Sequence, residues 1–188
     1  LAVKNVGANI VGEVIAERTR GGPFGDLADF LGRIHHRDMN KKSLESFIKS
    51  GALDSLGAER GQTLDSIDEL LRFNQAAKRA SSSNQSSLFG ASSYGTLRLK
   101  PGKPVDRSVM LSWEKELLGL YLTDHPWSAY LPKVQTQVKP ITEAKKLPKP
   151  ADENGRGPRL RLAGIICGVE RIMTKTGQPM LFVTLEDL

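Results

Sequence analysis

A run of small and polar residues near the middle of the chain, residues 80–108, limits the folds that this sequence can adopt. The run is rich in Ser, Gly and Pro and offers few apolar residues to bury. It therefore predicts a linker and not part of a core. The 188 residues are expected to fold as separate small units on either side of it.

Inside this linker, Gln85 is followed by an adjacent apolar pair, Leu88 and Phe89. A flexible segment with a few such anchors is typical of a peptide that binds a pocket on a partner protein. The alternative is that the pair packs against a neighbouring domain of the same chain, since exposed apolar residues are commonly buried.

The residues before the linker have apolar side chains at helical spacing, which predicts helices joined by tight turns. The first helix is expected over residues 8–20. Asp26 and Asn40 are placed to cap the next two helices, and the second of these ends at Gly51. A single longer helix is expected over residues 59–79.

The residues after the linker change from a helical to an alternating pattern. An amphipathic helix over residues 109–122 precedes a Pro-rich and largely irregular connector. From residue 159, apolar and polar residues alternate, which predicts strands with one buried face and a hairpin turn with Gly177 at positive φ. The fold class is therefore mainly α followed by an incomplete antiparallel β segment, in four parts: residues 1–79, the linker 80–108, the helix and connector 109–157, and the first strands 158–188.

Composition excludes several classes of protein. A single cysteine, Cys167, excludes an internal disulfide framework and fits a reducing cytoplasm. The sequence has no run of the ~20 apolar residues that a membrane-spanning helix needs, and it does not open with a secretory signal. We therefore expect a cytoplasmic location without a membrane partner. The chain starts and stops in mid-pattern, which favours a piece of a larger protein.

The net charge of +6 and a pI near 9.5 favour an anionic partner. The charge is spread along the chain and forms no dense basic tract. If the partner is nucleic acid, a few placed cations and backbone amides must bind it.

Two turns, one before the first predicted helix and one between two later helices, are suited to binding a phosphate backbone. Lys4, Asn5, Val6 and Gly7 lead directly into the first helix, whose initial backbone N–H groups point outward and attract phosphate. A turn of this kind is the central part of a helix-hairpin-helix, a motif that binds the nucleic-acid backbone without reading bases.

The second turn carries Gly51 and Gly57, with Lys49 and Arg60 as nearby cations. Each turn alone is better explained as a plain connection between helices. Two turns in one small helical unit favour a tandem pair that binds DNA.

The predicted strands carry a further group of cations, Arg161, Arg171 and Lys175. Small β-barrels that bind single strands combine such cations with aromatic platforms, and Phe182 is the available platform. A solvated sheet face is the alternative.

The sequence predicts no catalytic or metal site. His35 and His36 lack a second pair of ligands and are expected at a solvated helix end. Glu186 and Asp187 have no base or nucleophile beside them. Cys167 lies in an apolar strand, so a buried structural thiol is expected.

Four stretches together resemble one known family: residues 3–7, residues 40–57, the Trp113–Leu122 helix with His125 and Pro126, and residues 171–187. Their order is similar to that in the C-terminal region of bacterial replicative DNA polymerase III alpha subunits, which are family C polymerases. The likeness covers nearly the whole chain and fails only in the linkers.

The resemblance implies a tandem helix-hairpin-helix that holds duplex DNA behind the polymerase active site. It implies that Gln85, Leu88 and Phe89 are the Gln-x-x-Leu/Met-Phe peptide that binds the sliding clamp. It also implies the start of an OB-fold for single-stranded template, and contacts with other polymerase III subunits.

The resemblance also implies that the parent protein is a DNA-directed DNA polymerase, which is a nucleotidyltransferase, and that its catalytic residues lie in another domain. The palm carboxylates that bind Mg²⁺ would lie upstream, so we expect this fragment to lack catalytic residues and a cofactor and not to polymerise DNA by itself.

Two departures from the family pattern alter these expectations. The first hairpin has one glycine where stronger versions have two, which argues against tight phosphate contact. Ser86 stands where tight clamp peptides often have an apolar residue, which predicts a weak tether. Two other interpretations stay open: a structural module that packs against other polymerase domains, and a DNA-repair helix-hairpin-helix protein, against which Trp113 and residues 173–187 argue.

Overall fold

The computed structural model describes residues 3–82, 95–146 and 160–188. Within these residues the chain forms eight α-helices, two 3-10 turns and one two-stranded antiparallel sheet, which confirms the predicted fold class. It divides into two compact units, Leu1–Leu122 and Thr123–Leu188. The elements of the first unit are α1 (Ala8–Gly21), α2 (Leu27–Arg33), α3 (Lys41–Lys49), a 3-10 turn (Asp54–Leu56), α4 (Arg60–Asp65), α5 (Ile67–Ser82) and α6 (Arg107–Leu118).

The predicted caps of α2 and α3 are confirmed. The Asp26 carboxylate accepts a hydrogen bond from the backbone N–H of Asp29 at 2.7 Å. The Asn40 side chain accepts from the N–H of Ser43, whose hydroxyl in turn accepts from the N–H of Asn40, so a reciprocal capping box starts α3. Gly51 follows the end of α3 at φ +79°, in the left-handed region that favours glycine.

The single long helix expected over 59–79 is wrong, because the chain breaks at Ser66 into α4 and α5. Ser66 has φ −102° and ψ 11°, and its hydroxyl donates back to the carbonyl of Gln62 at 2.9 Å. A serine hydroxyl that bonds the preceding turn bends or interrupts a helix.

The core of the first unit is a single cluster contributed by α1, α2, α3, α5 and the turns between helices, with Leu64 of α4 partly buried against it. Asn74 is buried beside it, and its amide donates to the carbonyls of Leu31 and Ile34, both at 2.7 Å, which satisfies the end of α2. The buried apolar residues are Val6, Ile10, Leu27, Phe30, Leu31, Ile34, Met39, Leu44, Phe47, Ile48, Leu53, Ile67, Leu70 and Phe73.

Residues 95–106, hereafter the strap, belong to the predicted linker but pack closely on the first unit. The strap N–H of Lys100 donates to Ser66 Oγ at 2.8 Å, and that of Val105 donates to Glu59 Oε1 at 3.1 Å. A Cβ at Gly61 would clash with the carbonyl of Lys103, and one at Gly102 with the backbone of Gln62. Backbone therefore meets backbone where these glycines stand.

The second unit starts with short helical pieces where an irregular connector is expected. A 3-10 turn (Pro126–Ala129), α7 (Leu131–Val134) and α8 (Ile141–Lys145) precede the sheet. An isolated parallel bridge joins Lys139 to Leu162. The N–H of Ile141 donates to Asp187 Oδ2 at 2.7 Å, so the end of the chain is tied to the start of α8.

The sheet of the second unit is an antiparallel ribbon of β1 (Ile165–Met173) and β2 (Pro179–Glu186), with a bulge between Ile166 and Gly168. The predicted hairpin turn is confirmed, with Gly177 at φ +76°. The predicted buried face is wrong. Large apolar side chains are exposed on both faces of the ribbon, among them Ile166, Val169, Leu181, Phe182 and Val183.

None of the helices in the described parts of the chain has the length and apolarity that crossing a bilayer requires.

Candidate nucleic-acid interface

The first hairpin turn, residues 3–7, is held rigidly against the first unit. Val6 is its buried anchor at 3% exposure. The backbone N–H of Lys4 donates to the carbonyl of Leu117 at 2.8 Å, and the Asn5 side-chain amide donates to Ser46 Oγ at 3.5 Å. The turn is thus fixed from α6 and from α3.

Asn5 explains how the first hairpin forms with a single glycine. Its φ of +67° makes it the one non-glycine residue with positive φ in the described parts of the chain. Asn tolerates this left-handed conformation better than most residues because its short amide side chain finds local hydrogen bonds. The absence of a second glycine therefore does not prevent the tight turn.

The start of α1 is open to a ligand. Gly7 is the N-cap residue, and no side chain in the described residues caps the helix. Gly7, Ala8 and Asn9 are exposed. The first N–H groups of an α-helix have no partner within the helix and carry its positive dipole end, so they attract an anion.

The internal structure does not require glycine at position 7. Its φ is −71°, which every L-residue adopts. An added Cβ would meet only Asp38 Oδ2, at an ordinary 3.6 Å. What a side chain here would cover is the surface over the open end of α1. The Asp38 carboxylate works against an anion at this point, but the guanidinium of Arg37 lies 3.8 Å from it.

The second hairpin turn, residues 50–59, has the predicted backbone but a different environment. Gly51 and Gly57 have φ of +79° and +82°. The start of α4 is already capped, because the Glu59 carboxylate accepts from the N–H of Gln62 at 2.9 Å. Burial opposes the charge on Glu59, but the backbone hydrogen bonds from Gln62, Gly61 and Val105 outweigh it and lower the pKa of this carboxyl.

Arg60 does not lie where the sequence places it. Its side chain is only 7% exposed. Its guanidinium donates to Asp54 at 2.6 Å, to Glu114 at 3.2 Å and to the carbonyl of Lys49 at 3.2 Å. Hydrogen bonds to Asp54 outweigh the effect of burial and raise the pKa of Arg60. A saturated, buried guanidinium is poorly placed to bind phosphate, so the structure does not favour the predicted DNA contact of Arg60.

The Lys49 side chain is partly exposed and contacts a carboxylate and an aromatic ring. Its ammonium lies 2.8 Å from Glu45 Oε1 and 5.4 Å from the centre of the Trp113 ring. Both contacts are of kinds that contribute little at a surface, so Lys49 keeps the capacity to turn toward a phosphate.

Sequence reasoning missed Glu114, which is fully buried on α6. One oxygen accepts from Arg60, and the other accepts from the backbone N–H of Leu122 at 2.9 Å. The signal was available: Glu114 stands three residues from both Leu111 and Leu117, on the buried stripe of the helix. A carboxylate at such a position needs a cation.

The ribbon keeps apart two of the residues expected to form a single-strand site, Phe182 and Arg171. Arg161, Arg171 and Lys175 are all exposed. Phe182 pairs with Glu170, whereas Arg171 pairs with Leu181. Side chains alternate between faces along a strand, so Phe182 and Arg171 lie on opposite faces. The aromatic platform and this cation are not brought together.

Two expectations about titratable groups are wrong. Cys167 is exposed, not buried, and its thiol lies 3.0 Å from Glu186 Oε2. His35 is half-buried, not solvated, beside Ser81. In the described residues, no three His, Cys, Asp or Glu side chains converge as a metal site would require. Gln85, Leu88 and Phe89, the expected clamp peptide, lie outside the described residues.

Comparison with known proteins finds a known motif in the first third of the chain. Residues 1–63 match the family described as a helix-hairpin-helix motif. This stretch contains the first hairpin turn, α1 to α3 and the second hairpin turn.

The whole chain is similar to one segment of DNA polymerase III subunit alpha, which confirms the resemblance expected from the sequence. It is 36% identical over 186 residues to that subunit from Thermus aquaticus, covering 99% of this chain and 15% of the relative. It is 35% identical over 201 residues to the subunit from Mycobacterium tuberculosis strain H37Rv, covering 100% and 16%. It is 30% identical over 190 residues to the subunit from Escherichia coli strain K12, covering 99% and 16%.

Proposed function

We propose that this chain holds duplex DNA for a replicative DNA polymerase, through contacts to the phosphate backbone that do not depend on base sequence. The open start of α1 carries this proposal. The left-handed turn at Asn5 presents the helix end, and Gly7 leaves it uncovered.

The first hairpin supplies both parts of a phosphate site. Its free helical N–H groups give directed hydrogen bonds, and the exposed Lys4 beside them gives a mobile positive charge. The net charge of +6 adds a general attraction to nucleic acid. Contacts of this kind fix the position and orientation of a duplex without selecting its sequence.

The second hairpin makes the smaller contribution to DNA binding. Glu59 already occupies the amides that start α4, and Arg60 is buried. We expect Gly57 of this turn, and Lys49 at the end of α3 just before it, to lie near the duplex.

The polymerase resemblance supports two further roles. Gln85, Leu88 and Phe89 match the clamp peptide of the family, and binding to a ring around DNA would make each re-engagement intramolecular, with a high effective concentration. The ribbon supports the start of an OB-fold, with Arg161, Arg171 and Lys175 available to the backbone of single-stranded template.

A second candidate function rests on the exposed apolar residues of the ribbon. Phe182 is 53% exposed and Leu181 59% exposed, and apolar surface of this kind commonly marks a protein interface. In this alternative, the chain is a structural module that packs against other polymerase domains and does not bind DNA itself.

Salt-titrated binding to a short DNA duplex separates the two functions. A phosphate binder loses affinity linearly in log[salt], with a slope of about −0.9 per phosphate contacted. Absence of binding at low salt would support the structural module.

A matched pair of substitutions then tests the first hairpin. Gly7→Glu places a carboxylate over the open end of α1, and we expect it to reduce affinity and the salt slope. Gly12→Glu makes the same charge change on the same helix, at a position where an added Cβ meets nothing within 4 Å. Equal affinities of these two variants would contradict a phosphate site at Gly7.

A further inference from the structure

Helix α6 contacts both hairpin turns from a single helical turn of its own. Glu114 accepts from Arg60 at 3.2 Å, and Arg60 is bonded to the second hairpin. The carbonyl of Leu117, three residues further on, accepts from the N–H of Lys4 in the first hairpin at 2.8 Å. Three residues advance a helix by about 4.5 Å, so the two contacts lie close together on a rigid segment.

Arg60 ties this segment to the geometry of the second hairpin. Its guanidinium bonds the carbonyl of Lys49, just before the turn, and Asp54, within it. It also fills the space where a Cβ at Gly51 would stand. Any change in the conformation of this turn therefore displaces the cation that Glu114 binds.

The contact between Glu114 and Arg60 specifies an orientation as well as an attachment. Leu111 and Leu117, each 6% exposed, supply apolar burial for α6, but apolar contacts are not directional. Glu114 is fully buried and uses both oxygens, one on Arg60 and one on the N–H of Leu122. A buried ion pair adds little net stability to a fold. Its best-attested role is to fix one arrangement of the segments that it joins.

We propose that α6 is a brace that positions the DNA-binding first hairpin on the second, with Glu114 as the positioning residue. The second hairpin, with its amides capped internally, is then the support, and the first hairpin is the part that contacts DNA. The chain of contacts runs from Asp54 through Arg60 and Glu114 to the carbonyl of Leu117 and the amide of Lys4. This inference rests on the proposed DNA-binding function.

The direct test measures hydrogen exchange at the Lys4 amide in the full 188-residue chain. Glu114→Gln removes the charge that binds Arg60 at nearly constant shape. We expect the Lys4 amide to exchange several-fold faster in this variant, while the core amides of α3 keep their protection. Asp106→Asn is the matched control, because it removes the same charge from the exposed start of the same helix. Unchanged exchange at Lys4 in Glu114→Gln would overturn the brace.

Arg60→Lys is the second variant, in case Glu114→Gln does not fold. Lysine keeps the charge but cannot reach Asp54, Glu114 and the Lys49 carbonyl together. We expect the same faster exchange at Lys4, and protection equal to that of the unmodified chain would again overturn the brace.

DNA binding by the same variants separates failure of the brace from failure of the proposed function. We expect Glu114→Gln to bind a duplex at least several-fold more weakly, with a salt slope smaller by about 0.9 for each phosphate that the variant no longer neutralises. Loss of stability alone would lower the folded fraction and leave the slope unchanged. If the unmodified chain binds no duplex, the proposed function is wrong, and the exchange data still decide the brace. If the unmodified chain binds and Glu114→Gln matches Asp106→Asn in affinity and slope, the brace is wrong.

Discussion

Ser66 Oγ accepts a hydrogen bond from the backbone N–H of Lys100 at 2.8 Å and donates one to the carbonyl of Gln62 at 2.9 Å. One buried hydroxyl thus joins the break between α4 and α5 to the strap. Residues that are 34 positions apart in the sequence are held together by an atom that is inaccessible to solvent.

Ser66→Ala should therefore destabilise the first unit. It removes the hydrogen bond that the Lys100 N–H donates to Ser66 Oγ, and the loss of one intramolecular hydrogen bond costs about 0.5–1.5 kcal/mol. Urea unfolding followed by circular dichroism measures this loss. Ser112→Ala is the control, because its hydroxyl is exposed and bonds only the carbonyl of Val109. Equal midpoints for the two variants would show that the strap contact contributes nothing.

Glu59 should make stability depend on acid pH. Its pKa is lowered in the folded state by hydrogen bonds from Gln62, Gly61 and Val105, which outweigh burial. A carboxyl with a lowered folded pKa contributes stability above its unfolded pKa of about 4.5, and this contribution is lost as the pH falls through the folded value. We expect Glu59→Gln to lower the urea midpoint at pH 7 and to lower it much less near pH 3. A difference that is constant between these pH values would contradict the expectation.

His35 should make the stability of the fold depend on pH at higher pH values than Glu59 does. Burial lowers its pKa in the folded state, partly offset by the backbone carbonyl of Gly32 and by the Glu13 and Glu17 carboxylates, while Lys78 lowers it further. The unfolded chain then binds the proton more readily, so stability falls as the pH drops below about 6.5 toward the folded pKa. His35→Gln should flatten the dependence of the urea midpoint on pH between 7 and 5. An equally steep dependence in this variant would assign it to other groups.

The core cluster predicts a large difference between two leucines. Leu44 is fully buried, whereas Leu122 is 69% exposed. Leu44→Ala should cost about 2–5 kcal/mol of unfolding free energy, because it removes apolar contact and leaves a cavity. Leu122→Ala should change it by less than about 0.5 kcal/mol. Similar losses in both variants would mean that the cluster around Leu44 is not the core.

Local patterns predicted much of the helical unit. The caps at Asp26 and Asn40 and the left-handed glycines at 51 and 177 depend on neighbours in the sequence, so the sequence alone identifies them. The break at Ser66 and the fixed position of the strap depend on each other across the linker. No local pattern reports such a contact. The four predicted domains stay a prediction, although α6 and the strap lie in the first compact unit.

In the candidate DNA-binding site, too, the local features were predicted and the long-range contacts were not. Lys4, Asn5, Val6 and Gly7 form one local turn, and the structure brings them together as expected. Arg60 is a surface cation by sequence and a buried one in the structure, because its partner Glu114 is 54 residues away. The exposure of both faces of the ribbon could not be predicted either. An alternating pattern of apolar and polar residues indicates a strand with two different faces, but it does not show what covers each face.

The close approach at Gly61 and Gly102 has a consequence for how such a sequence can change over time. Each glycine is required by the backbone of the other segment and not by its own φ, so neither can acquire a side chain while the strap stays in place. Substitution at either position should be rare among homologues that keep the strap. Where Gly61 or Gly102 is substituted, we expect changes at Ser66 or Glu59 as well, because the strap no longer packs on the first unit in those homologues.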